Sequence, residues 1–418
     1  MTFLLIMKHF FLFWKHDAVC QKEKSSNFAQ NSENKSYLCI VRVLFIILAL
    51  FIAQMTAAHD HWSPAKQDKA EKKAFQTLGK SDGLCSNSVT SLLADSRGYL
   101  WIGTSQGLNR YDGYEVKIHF PESYYQPLHE VFNNPITSIE EDVEGRIWIQ
   151  CESGAYYLYD NRTAQFSAKT TELLHSVGIK CKGQYKVKVS SKGTWWVVEE
   201  DGIWRYNTHT KELKNWKMNL PVPGTAANLV AEMSDGLYIS TGHAVWHFNS
   251  STGDIQRETL PPVMENSIAE IGLLADTDGT LWAYSTREEY ICRFIVGGRC
   301  VREMVTLPST KGASQNDAIR DMMDDLHGNI WIATDHKGLF AYNKKSGNIT
   351  AMHHRRDQLL SLASDNATCL EVDEEGTVWV GHLKTGLSYT SEANNIMQSH
   401  ARQCGDILSL AYDTHGNL

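Results

Sequence analysis

From residue 80 onward the apolar positions fall into short runs separated by Asp, Gly and Ser, and the runs return at a nearly constant interval. In the first copy, Val89 to Ala94 is an apolar run fit for a strand buried on both faces. Asp95 to Gly98 reads as a turn, because Asp bonds its own backbone two residues on and Gly accepts positive φ. Tyr99 to Thr104 is rich in aromatic and β-branched residues, as strands are. Gln106 and Gly107 turn the chain again, and Leu108 to Tyr111 makes a third strand. Tyr114 to Phe120 then alternates Tyr114, Val116, Ile118 and Phe120 with Glu115, Lys117 and His119, the period-2 pattern of a half-exposed outer strand.

Each later copy centres on a glycine followed three residues on by a tryptophan. The anchors are Trp101, Trp148, Trp196, Trp282, Trp331 and Trp379, with Tyr238 after Gly236 filling the gap between the third and fifth copies. Successive anchors stand 47, 48, 42, 44, 49 and 48 residues apart. A period of roughly 40–50 residues with strand content is that of a β-propeller. The prediction is therefore an all-β, seven-bladed propeller of four-stranded antiparallel blades over residues 80–403. Gly416, Asn417 and Leu418 read as the start of an eighth repeat within 404–418, so the propeller is expected to be the first of two in a truncated chain. The tryptophans sit mid-strand, which marks them as packing anchors between blades rather than a sugar-stacking series.

Composition adds little to this and the N-terminus adds more. A formal net charge of −8 over 418 residues, with no basic run, is not that of a nucleic-acid-binding segment. Residues 37–58 carry an apolar run from Val43 to Ala53 flanked by Lys35 and Arg42, with Thr56, Ala57 and Ala58 as small residues for cleavage. That is a signal peptide or a signal anchor. Residues 1–36 form an N-terminal extension, and 59–79 read as a linker. Beyond residue 58 stand Cys85, Cys151, Cys181, Cys292, Cys300, Cys369 and Cys404, at spacings that suggest neither a disulfide framework nor a metal site. A tight turn at Gly297 and Gly298 would pair Cys300 with Ile295 and not with Cys292. The Asp-rich turns lack the later glutamate of a calcium loop, so no metal and no cofactor is expected.

The phrase running from Asn87 to Asp112, through Val89, Thr90, Ser91, Asp95, Gly98, Trp101, Gly107 and Tyr111, resembles the two-component regulator propeller repeat. Residues from Asn134, from Ala318 and from Asp373 resemble it closely too, while the fourth copy loses the Asp turn and the fifth lacks the second-turn glycine. The resemblance covers roughly residues 80–418. It implies the periplasmic sensor part of a hybrid two-component system of the Bacteroidetes type. Such a part recognises an oligosaccharide, acts as a homodimer through downstream regions, and signals to a histidine kinase absent from these residues. It would touch the membrane only through the N-terminal segment or a downstream helix, and would bind no nucleic acid and catalyse nothing itself.

Propellers place binding groups in the loops of one face. Here that face carries the loops between second and third strands, where His243, Arg287, His336 and Lys384 are the candidate ligand contacts, Arg and Lys suiting carboxylates and sulfates. The competing readings are an orphan secreted propeller acting as a lyase or hydrolase, and a protein-interaction scaffold. A catalytic reading needs convergent acid and base groups, and no loop carboxylates or histidines recur at matching blade positions, so no catalytic residue is assigned.

Overall fold

The computed structural model describes residues 73–391, apart from 120–134, 219–228, 267–268, 296–302, 309–317 and the single positions 168, 182 and 191. Seven four-stranded antiparallel sheets form a seven-bladed β-propeller, and the described residues are otherwise helical only in short segments at Lys80–Asp82, Thr170–Ser176 and Pro262–Glu265. The innermost strands are Val89–Ala94, Ile136–Glu141, Tyr185–Val189, Leu229–Met233, Ile271–Ala275, Ile319–Asp324 and Ala367–Val372, and they line a central channel. Blades 1 to 6 step outward through their other three strands in chain order.

Blade 7 departs from that order. Its outer strand is Gln76–Leu78, paired with Leu387–Thr390 through Gln76 opposite Tyr389 and Leu78 opposite Leu387. Residues expected as linker thus close the ring, and the propeller starts before residue 80. Gly386 makes the closure possible. It sits at φ +82°, and a Cβ there would lie 2.2 Å from the Leu78 carbonyl oxygen. The expected segments 1–36 and 37–58, and the eighth repeat, lie outside the described residues. No helix among the described residues is long and apolar enough to cross a membrane.

Second strands are sandwiched within the sheet, so their runs are apolar on both faces. Leu100–Thr104 is buried throughout, whereas the outer Val116–His119 is half-buried to exposed. Tyr114, expected in that outer strand, is instead 94% exposed in a turn. Asp112 accepts the backbone N–H groups of Tyr114 and Glu115 at 3.0 and 2.8 Å and holds the chain off the sheet until Val116. Cys292 is buried and pairs with Met304 across the third and outer strands of blade 5; Cys300 is outside the described residues.

The seven anchors lie between successive blades. Trp101 packs with Ile139 and Ile147 of blade 2, Trp196 with Val230 and Ile239 of blade 4, and Trp331 with Leu370 and Val380 of blade 7. Each indole removes of the order of 200 Å² from water, about 5 kcal/mol at ~25 cal/mol per Å².

The aspartate that opens each first turn also fixes the tryptophan. One Asp95 oxygen accepts from the Arg97 and Tyr99 backbone at 3.0 and 2.9 Å, and the other accepts from Trp101 Nε1 at 2.8 Å. Asp142, Asp276, Asp325 and Asp373 repeat this, with Trp148, Trp282, Trp331 and Trp379 donating at 2.9, 2.9, 3.1 and 2.9 Å. The six-residue spacing from Asp to Trp is therefore one hydrogen-bonded unit, and the intervening glycine, at φ +83° for Gly98, closes its turn. In blade 3 Ser190 replaces the aspartate, and Trp196 donates at 3.0 Å to Glu232 of blade 4.

Carboxylates at the ends of innermost strands join further seams. Glu141 accepts from Ser96 N and Oγ of blade 1 at 2.7 and 2.8 Å, and Asp324 accepts from Thr277 N and Oγ1 of blade 5 at 3.0 and 2.6 Å.

Replacing Asp325 with Ala strands a buried indole N–H and two turn amides. It is expected to cost about 3 kcal/mol in urea-induced unfolding, whereas Asp112→Ala, in an exposed turn, costs under about 1 kcal/mol. Equal effects of the two substitutions would contradict the unit.

Candidate functional site

On one face, the loop after the second strand of blades 1, 2, 5, 6 and 7 is tied to the residue at or just before the start of its own innermost strand. The donors Ser105, Glu152, Thr286, Asp335 and Leu383 reach the carbonyls of Ser88, Pro135, Glu270, Ala318 and Asn366 at 3.0, 2.9, 3.0, 3.0 and 3.4 Å. This bond fixes the base of each loop and leaves the tip residues free to vary.

His243, Arg287, His336 and Lys384 all stand on these loops, in blades 4 to 7, and all are exposed. They do not converge on one cavity. The His243 ring is held through Nδ1 at 2.8 Å from the Ala269 carbonyl oxygen, which makes it a brace between blades 4 and 5. His336 projects beside Asp335, its Nδ1 3.9 Å from that carboxylate. Lys384 lies on the blade 7 loop. Of the four, Arg287 lines a cavity of about 490 Å³, together with Glu270, Thr286, Ala318 and Arg320.

Two departures from the repeat build that cavity. Blade 5 lacks the second-turn glycine, and its loop widens to four residues between Ser285 and Tyr290. The buried Ser285 hydroxyl accepts the Arg287 and Glu288 amides at 3.4 and 3.2 Å, doing the turn's work and raising Arg287 to the surface. In blade 6 the innermost strand bulges between Ile319 and Asp321. Blades 1, 2 and 7 bulge at the same place and carry Thr90, Thr137 and Thr368 there; blade 6 carries Arg320. Bulges at such rims re-aim a side chain, and Arg320 lines both this cavity and the channel mouth while contacting Asp335. A search of the loops passes over Arg320, because it lies on a strand. Its signal in the sequence is the change from Thr followed by Ser or Cys to Arg320 and Asp321 in the sixth copy.

The channel holds about 1120 Å³ and is lined from all seven blades. Glu140 accepts from Val189 N at 2.8 Å and pairs with Lys188 at 3.2 Å, linking blades 2 and 3. Lys186 contacts Gln150, and burial lowers its pKa. Asp321 accepts from the Leu370 and Met322 amides at 2.8 Å each, yet burial pushes its carboxyl up to about 6. Glu371 accepts from the Ala94 amide across the blade 7–blade 1 seam; burial, then the neighbouring Asp321, push it up to about 8. Its side chain is half-buried and lines the channel. The Cys151 and Cys181 thiols are free and pushed up to about 11 and about 12 by burial, which makes them poor nucleophiles. Among the described residues no group of three or more His, Cys, Asp and Glu could hold a metal ion.

The raised Glu371 carboxyl keeps its proton in the folded state between the ordinary value of 4.5 and about 8, where the unfolded chain has lost it. The stability that goes with this proton is fully present below 4.5 and is lost as pH rises through about 8. Glu371→Gln is therefore expected to match the parent near pH 4 and to exceed it by about 1 kcal/mol or more near pH 9 in denaturant unfolding. A difference independent of pH would refute the assignment.

Residues 83–106 match the family described as the two component regulator propeller. No curated protein matches the sequence significantly. Among solved structures, the extracellular domain of a protein from B. thetaiotaomicron named as a one component system is similar at 20% identity and a TM-score of 0.58, over 76% of this chain and 40% of its own. A second B. thetaiotaomicron extracellular domain, named as belonging to a hybrid two component system, matches at 20% and 0.58, over 76% and 42%. A catalytically inactive virginiamycin B lyase from Staphylococcus aureus with quinupristin matches at 13% and 0.55, over 76% and 98%. The chain spans about two fifths of the length of the two B. thetaiotaomicron domains. Residues 83–106 thus carry a repeat similar to the two component regulator propeller, set within a seven-bladed ring whose Asp-to-Trp unit recurs in four other blades.

Proposed function

We propose that this propeller is the ligand-sensing part of an extracytoplasmic two-component receptor, that its ligand is an oligosaccharide, and that it binds on the loop face. The observation that carries the reading is the cavity between blades 5 and 6. It lies on the face where loop tips vary over a fixed base, and the Arg287 guanidinium in it has no hydrogen-bond or ion-pair partner among the described residues. The match at residues 83–106 and the likeness to extracellular domains of B. thetaiotaomicron support the sensing role and a periplasmic location. In this reading the ligand is bound and released unchanged. Its binding energy shifts the arrangement of two propeller protomers, and a histidine kinase elsewhere in the receptor reads that shift.

Titration calorimetry with a panel of plant and host oligosaccharides, neutral and acidic, tests this. Saturable binding of at least one member is expected, with the ligand recovered intact by chromatography. Cleavage of the ligand would favour the lyase or hydrolase reading, and a wholly silent panel would oppose oligosaccharide sensing.

A further inference from the structure

Resting on that reading, we propose that the cavity between blades 5 and 6 is specific for a sugar acid. Arg287 and Arg320 take its carboxylate, and Glu270 accepts from a ring hydroxyl. Four observations lead there. Arg287 is exposed and partnerless among the described residues, so its charge awaits a counter-charge. Arg320 occupies the bulge position where three other blades carry threonine, and Asp335 engages one terminal nitrogen, leaving further N–H donors for a second anion. The Glu270 carboxylate lines the same cavity and has no partner of its own among the described residues. Finally, the cavity, at about 490 Å³, lies within the roughly 300–1,000 Å³ of small-molecule sites.

The charge pattern narrows the ligand. Arg320 is already paired with Asp335, so a neutral sugar leaves the Arg287 charge uncompensated. A bare oxyanion such as sulfate brings negative charge against Glu270 and offers it no donor. A sugar carrying one carboxylate beside free hydroxyls meets all three groups, through charge-assisted bonds to the arginines and hydroxyl donation to the glutamate. Thr286 donates its hydroxyl to the Glu270 carbonyl at 3.1 Å, which leaves it an acceptor for a second sugar hydroxyl.

Calorimetry on the whole chain with tetragalacturonate and its fully methyl-esterified form is the test, because esterification removes charge and keeps the sugar frame. The parent protein is expected to bind the acid at least about tenfold more tightly than the ester, one charge-assisted interaction's worth. In the Arg287→Gln, Arg320→Gln double variant the two affinities fall within about twofold, and Glu270→Gln weakens acid and ester alike. Both arginines are exposed, so unchanged thermal midpoints show that the variants fold. Equal binding of acid and ester, a preference kept by the double variant, displacement of the acid by equimolar free sulfate, or binding of neither form would each overturn the proposal. Sensing would outlive these results if another oligosaccharide of the wider panel bound.

Discussion

The structure depends on a single carboxylate placement. In five blades an aspartate closes the first turn with one oxygen and holds the tryptophan indole with the other. A mid-strand tryptophan between two sheets would otherwise bury an unsatisfied N–H, which costs about 1–3 kcal/mol. The aspartate removes that penalty and fixes the ring against the next blade at the same time. Because the unit is local, spanning six residues, each of these five blades carries its own copy and specifies its junction with the next.

This unit explains what was legible in the sequence. The glycine-to-tryptophan spacing and the apolar second strand gave away the blade count and the strand order, since turn chemistry and burial act within a few residues. The meaning of the aspartate was only half legible: its turn role follows from its neighbours, but its bond to an indole six positions on needs the hairpin folded. Ring closure was not legible at all. Gln76–Leu78 is three residues long and carries no repeat signature, and it becomes a strand only because Leu387–Thr390 presents an open edge more than 300 residues away. Tyr114 is misleading in the sequence because alternation continues upstream of the strand, while Asp112 holds the backbone in a turn.

The candidate site lies where the repeat lapses. Blade 5 has lost its second-turn glycine, and blade 6 has Arg320 and Asp321 where the other bulged blades have Thr followed by Ser or Cys. Neither change helps the frame. Arg320 gives up the small residue kept by three other bulges, and Asp321 buries an acid that burial raises to about 6. Departures of this kind, made against local consistency, are expected where a protein binds something. The loops alone point to Arg287 and set His243 beside it as an equal, although the fold uses His243 to brace Ala269. Aligning the copies position by position identifies Arg320 as well.

The account thus separates a frame set by Asp-to-Trp units from a binding face set by lapses in the repeat. Hydrogen exchange with and without saturating tetragalacturonate tests that separation most directly. Protection is predicted at residues 270–271, 286–288 and 319–320, with the turns at Asp95, Asp142, Asp276, Asp325 and Asp373 unchanged. Protection centred on those aspartate turns, with the blade 5 and blade 6 segments unaffected, would contradict it.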